Sequence, residues 1–127
     1  SKNSSAGKKA PSVPRVAAPV GAAAYNSYCA SCHKEDGSGV PGVFPSLKGS
    51  AVAQGNKHEL IRKVLLGINP PGYSTEAYEQ KMSAFGFVSN AELADILTYV
   101  RKNFGNDADK IYMDDVARQR ALSAEAP

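Results

Sequence analysis

Apolar residues recur at helical spacing in three stretches of the chain. Gly21, Tyr25 and Cys29 fall on one face at i, i+4 and i+8, with Tyr28 beside them, which predicts a helix over Gly21 to Cys29. A glycine on that face lets another helix cross closely. Asn56 can cap a second helix running to Leu66. Glu59 sits three positions on, and Leu60, Ile61, Val64 and Leu65 form its stripe before Gly67 stops it. Ser89 and Glu92 read as a capping box for the third. Leu93, Ile96, Leu97, Val100 and Phe104 follow on one face, Arg101 and Lys102 suit its C-terminal end, and Gly105 ends it. Beyond a polar turn, Asp114 can cap a short final helix to about Ala124, whose weak stripe predicts a place on the outside. The pattern predicts an all-α fold: three core helices and loops, plus a short C-terminal helix.

The segments between these helices carry their own signals. Lys34 to Ser50 holds Gly37, Gly39, Pro41, Gly42, Pro45 and Gly49, so it is no long regular element. Its Val40, Val43, Phe44 and Leu47 are more apolar than a plain surface loop requires. Residues 68–88 form a loop long enough to read as functional, with part of Glu76 to Lys81 as a short helix. Residues 1–19 are Ser, Lys, Ala, Pro and Gly with scattered Val, and read as a flexible leader or linker before a domain spanning 20–127.

A chain of 127 residues supports one domain. Its 43% hydrophobic content, with 11 glycines, eight prolines and no Trp, describes a loop-rich globule whose core is completed by something other than side chains. The net charge of +3 belongs to the leader: Lys2, Lys8, Lys9 and Arg15 lie there, leaving 11 basic against 12 acidic residues from Gly21 onward. No basic stripe with interleaved aromatics supports nucleic-acid binding, and no apolar run is long enough to span a membrane. Residues 1–20 also lack the apolar run of a signal peptide, which reads as a processed chain or an excised domain.

The chemistry concentrates at Cys29-Ala30-Ser31-Cys32-His33, a C-x-x-C-H motif. Two thiols three positions apart can each add to a haem vinyl group, and His33 then stands under the iron as an axial ligand. A disulfide, a redox dithiol, half of a zinc site and chance are the competing readings. The dithiol lacks a surrounding strand–helix alternation, and zinc lacks a second cysteine pair. For the sixth iron position the chain offers Met82, Met113 and His58. Met82 lies in the long loop beside Phe85 and Phe87. Met113 neighbours Asp114 and Asp115, and His58 sits in the first turn of its helix, away from the apolar stripe, as an exposed histidine. His33 and Met82 as axial ligands suit electron transfer, because a neutral thioether favours the reduced iron. An open sixth position would instead suit a haem enzyme or a ligand-binding sensor.

From about Gly21 to Gly105 the chain resembles the class I cytochromes c. Cys29, Cys32 and His33 match the haem-binding motif, and Lys81-Met82-Ser83-Ala84-Phe85-Gly86 resembles the distal-ligand loop. Gly21 and Tyr25 resemble the N-terminal helix pair, with Ile96 and Tyr99 as their partners. Pro45 resembles the proline whose carbonyl accepts a hydrogen bond from the proximal histidine. Gly39 to Pro45 and Leu97 to Arg101 are similar to bacterial cytochromes found as subunits or fused domains of periplasmic dehydrogenases, copper nitrite reductases and terminal oxidases. The resemblance implies one covalent haem c with its iron, a non-enzymatic electron carrier, redox protein partners in a respiratory chain, and a periplasmic location. It departs from the family at Ser83, where proline is common, and in having no Trp; Tyr73, Tyr78 and Arg62 are the candidates for the haem-propionate contact. Val40, Val43, Phe44 and Ala84 would rim a partner surface, with Lys34, Lys48 or Lys81 steering.

Overall fold

A computed structural model describes residues 19–68 and 82–125. They form six helices: α1 (Ala22–Tyr28), α2 (Ala30–His33), α3 (Ala51–Gln54), α4 (Lys57–Leu66), α5 (Asn90–Lys102) and α6 (Met113–Glu125). Among the described residues there is no strand, only an isolated bridge between Val40 and Phe44, so the all-α expectation holds. The leader over 1–18, the short helix expected within Glu76 to Lys81, and Tyr73, Tyr78 and Lys81 lie outside the described residues.

The helix starts follow their caps. Asn56 Oδ1 accepts from the N–H groups of His58 and Glu59, and Gly67 closes α4 in the left-handed conformation. Ser89 Oγ accepts from Glu92 N–H at 3.2 Å. The Glu92 carboxylate accepts in turn from Tyr28 Oη at 3.2 Å, which ties α1 to the start of α5. The predicted first helix is observed as α1, flanked by Gly21 and Cys29; at Cys29 φ widens to −116°, and a further short helix, α2, which was not expected, follows directly. Helix α3 was not expected; Ser50 caps it by accepting from Ala53 N–H.

Tyr25, Leu60, Ile61, Val64, Leu65, Leu93, Ile96, Leu97 and Val100 fill the core, as the stripes predict. Phe104 departs from its expected place. It lies past the end of α5 with φ 60°, yet still packs its ring 5.3 Å from that of Tyr25 and 5.5 Å from that of Tyr99. The glycine crossing is observed: a Cβ on Gly21 would run into the Asp95 carbonyl of α5.

Helix α6 corrects the expectation of a short outer helix. It has 13 residues, the same as α5, and packs on both α4 and α5 with Val116 fully buried. Asp114 does not cap it; the Asp115 carboxylate reaches back to Tyr112 N–H at 2.8 Å and pairs with Lys57 at 3.0 Å. Arg101 also departs from its expected role at the end of α5. It is 3% exposed and donates to the carbonyls of Ala53, Gly55 and Asp109, so it stitches α3 and the segment after α5 together.

Candidate functional site

The motif is presented by the break between α1 and α2. Tyr25 and the Lys34 carbonyl, joined at 2.8 Å through the phenol O–H, bracket it from both ends. Burial, then the neighbouring Cys29, pushes the Tyr25 pKa well above its ordinary value, so the phenol stays a donor. Cys29 and Cys32 are free and half-buried. Burial, and then Cys32, pushes the Cys29 thiol up to about 11. A redox-active dithiol needs the opposite shift. Among the described residues no group of three or more His, Cys, Asp or Glu side chains is arranged to hold a metal ion by itself.

His33 is 9% exposed, and its Nδ1 lies 2.8 Å from the Pro45 carbonyl oxygen. A carbonyl only accepts, so Nδ1 carries the proton and Nε2 is the nitrogen with a lone pair for a metal. Burial lowers the His33 pKa, and the charge of Lys63 on α4 lowers it further, against the Pro45 bond, which raises it. The neutral, metal-binding form is therefore favoured. Gly39, with φ 66°, makes the Pro45 contact possible: a Cβ there would meet the carbonyls of Phe44 and Pro45 at 2.5 and 2.6 Å. The Gly39 N–H also donates to the His33 carbonyl at 2.8 Å.

Met82 and Phe85 are partly buried and pack against the same buried core as Cys29 and Leu47. Phe85 N–H donates to the Val64 carbonyl at 2.7 Å. Met113 opens α6 and is 52% exposed. His58 is exposed as expected, though its Nδ1 also lies 3.3 Å from Gln119 of α6. Arg62 is exposed on α4, next to half-buried Lys63, the cation whose charge bears on His33. Val40, Val43 and Phe44 are half-buried, Ala84 and Lys34 are exposed, and Lys48 pairs with Asp36 at 3.6 Å.

Sequence reasoning missed three supports of this site. Asn106 is buried and bridges Leu47, Gly49 and Val100, binding the loop after Pro45 to the end of α5. Lys63 and the Tyr25 hydroxyl are the others. Asn106 and Lys63 lie off the apolar stripes, so periodicity carries no signal for them; Tyr25 lies on a predicted apolar face, but spacing does not show which acceptor its hydroxyl finds. The residues present fit a covalent haem: two free thiols, a neutral imidazole with one nitrogen fixed, and a thioether against the same core.

A family profile for cytochrome c matches residues 18–103. The chain is 36% identical over 115 residues to the cytochrome subunit of fructose dehydrogenase from Gluconobacter japonicus, covering 84% of this chain and 23% of that protein. It is 32% identical over 107 residues to the cytochrome c subunit of alcohol dehydrogenase (quinone) from Gluconobacter oxydans, covering 82% and 22%. It is also 32% identical over 88 residues to cytochrome c-552 of Thermus thermophilus, covering 65% of this chain and 66% of that one. The chain thus spans under a quarter of the length of the two dehydrogenase subunits.

The family match and the relatives, with the all-α fold, define an electron carrier with covalently bound haem c rather than a catalytic enzyme. The chain belongs to the cytochrome c family and is a class I c-type cytochrome.

Proposed function

We propose that this chain is a single-haem electron-transfer module working between redox proteins on the periplasmic side of the membrane. Cys29 and Cys32 are its attachment points, and His33 and Met82 its axial ligands. The observation that carries the reading is the buried His33, whose Nδ1–H is held by Pro45 at 2.8 Å directly after a free cysteine pair. When bound, haem supplies a one-electron couple, and a histidine–methionine ligand set raises its potential.

The chain's own residues do the rest. Pro45 fixes the plane of the imidazole and raises its basicity. Met82 would offer a neutral thioether to the iron in place of water or a substrate, with Phe85 adding apolar surface from the same partly buried set. Arg62 and Tyr78 stand as partners for the haem carboxylates, joined by Lys63. Partner contact is small and transient, on a rim of Val40, Val43, Phe44 and Ala84 with Lys34 and Lys48 steering. The dehydrogenase cytochrome subunits among the relatives support a dehydrogenase as donor, with this chain as its haem-bearing subunit or domain. A reductase or terminal oxidase of a respiratory chain is the acceptor that fits.

The test is the absorption spectrum of the holoprotein, oxidised and reduced. A weak band at the red end of the oxidised spectrum, with a sharp low-spin form on reduction, is expected for sulfur ligation. Met82→Ala should abolish that band. A high-spin spectrum in the unmutated protein would take Met82 off the iron.

A further inference from the structure

The helix beyond the family match reaches back into the site. We propose that Arg120 of α6 is a positioning residue for Met82: it holds the turn that follows the methionine against the core. The proposal rests on the reading of Met82 as distal ligand.

The Arg120 guanidinium donates from Nη1 to the Gly86 carbonyl at 2.6 Å, from Nη2 to the Val88 carbonyl at 2.6 Å, and from Nε to Asn90 Oδ1 at 2.8 Å. These are short, charge-assisted bonds, and a planar fork is the side chain that can make all three at once. On its other side the same segment is held by α4. Phe85 N–H donates to the Val64 carbonyl at 2.7 Å, and Gly67 lies so close that a Cβ there would sit 3.3 Å from the Met82 carbonyl oxygen. The segment from Met82 to Val88 is thus bridged between α4 and α6.

The bridge is only as firm as α6, and α6 is well fixed. Val116 is fully buried, Gln119 is 6% exposed, and Asp115 pairs with Lys57. Residues 113–125 lie outside the 18–103 family match, so the C-terminal helix adds a brace that the matched region does not contain. Without it, the turn at 86–88 keeps its attachment to α4 but loses the restraint that limits how far the Met82 thioether can swing.

The experiment compares Arg120→Ala, Arg120→Lys and, as an exposed control on the same helix, Arg118→Ala, each as holoprotein. Amide exchange is read at Phe85, Val88 and Leu97, together with the reduction potential. In Arg120→Ala, exchange at Phe85 and Val88 should quicken roughly tenfold or more, with Leu97 unchanged, because charged hydrogen bonds to the local turn are lost. The potential should fall, since the thioether that favours reduced iron is held less of the time. Arg120→Lys, with one ammonium for three acceptors, should fall between, and Arg118→Ala should move nothing. Unchanged exchange at Phe85 and Val88, equal acceleration at Leu97, or an unchanged potential would overturn the proposal. If Arg120→Ala does not fold, Arg120→Lys decides by the same readouts, and full retention of both would overturn it. Met82→Ala separates the two readings: an unaltered red-end band there removes Met82 as ligand, while the exchange data still judge the brace.

Discussion

Gly21 stands where α1 crosses α5, with φ 92° and the Asp95 carbonyl against the space a Cβ would occupy. Two costs therefore meet at one residue, a left-handed backbone and an overpacked crossing. Gly21→Ala should destabilise the holoprotein by about 2–4 kcal/mol, read from urea unfolding, with the midpoint lowered and the slope unchanged. That glycine was legible in the sequence because it shares a face with Tyr25 and Cys29. Gly39 was not. Its role is to let a carbonyl six residues away approach His33, and nothing in a loop rich in Gly and Pro distinguishes it from Gly42, which has open space around it.

At the scale of elements, the decisive contacts are between helices that are distant in sequence. Helix α6 is fastened at its first turn by Asp115, which accepts from Tyr112 N–H and pairs with Lys57 of α4 at 3.0 Å. Burial alone would raise the Asp115 pKa. The Tyr112 N–H, Lys57 and His58 outweigh it and hold the carboxyl below its ordinary value. A carboxyl whose folded pKa lies below its unfolded one stabilises the fold fully above the ordinary carboxylate range, and that share is lost as pH falls through it. Acid titration should therefore loosen the first turn of α6 below about pH 4. In Asp115→Asn that step should be missing, with stability near neutral pH reduced by about 1 kcal/mol. Amide exchange at Tyr112 follows both effects.

At the scale of the whole molecule, the proposed haem site would share the core with the helices. Cys29, Leu47, Met82 and Phe85 are only partly buried, yet they pack against the buried cluster. They form the surface that a covalent haem would complete. Replacing Cys29 and Cys32 together by alanine should yield a chain without covalent haem. That chain should lose cooperative unfolding, because the apolar surface these residues expose no longer has a partner. Calorimetry of the double variant against the holoprotein checks this; an equally sharp transition would mean the helices alone suffice.

Local chemistry, read along the chain, determined the caps at Asn56 and Ser89, the stripes of α4 and α5, and the C-x-x-C-H motif. Each depends on residues a few positions apart, so periodicity and spacing carry the information. Tertiary structure alone decided that Arg101 would be buried on three carbonyls. It also decided that Phe104 would pack beyond its helix, that α6 would be a core partner, and that Arg120 would reach the turn after Met82. Polar groups of this kind find backbone acceptors 8 to 48 residues away in the case of Arg101, and 32 to 34 in the case of Arg120. Their partners are carbonyls, which every residue carries, so the pairing is set by where the helices come to rest and leaves no mark in the order of side chains.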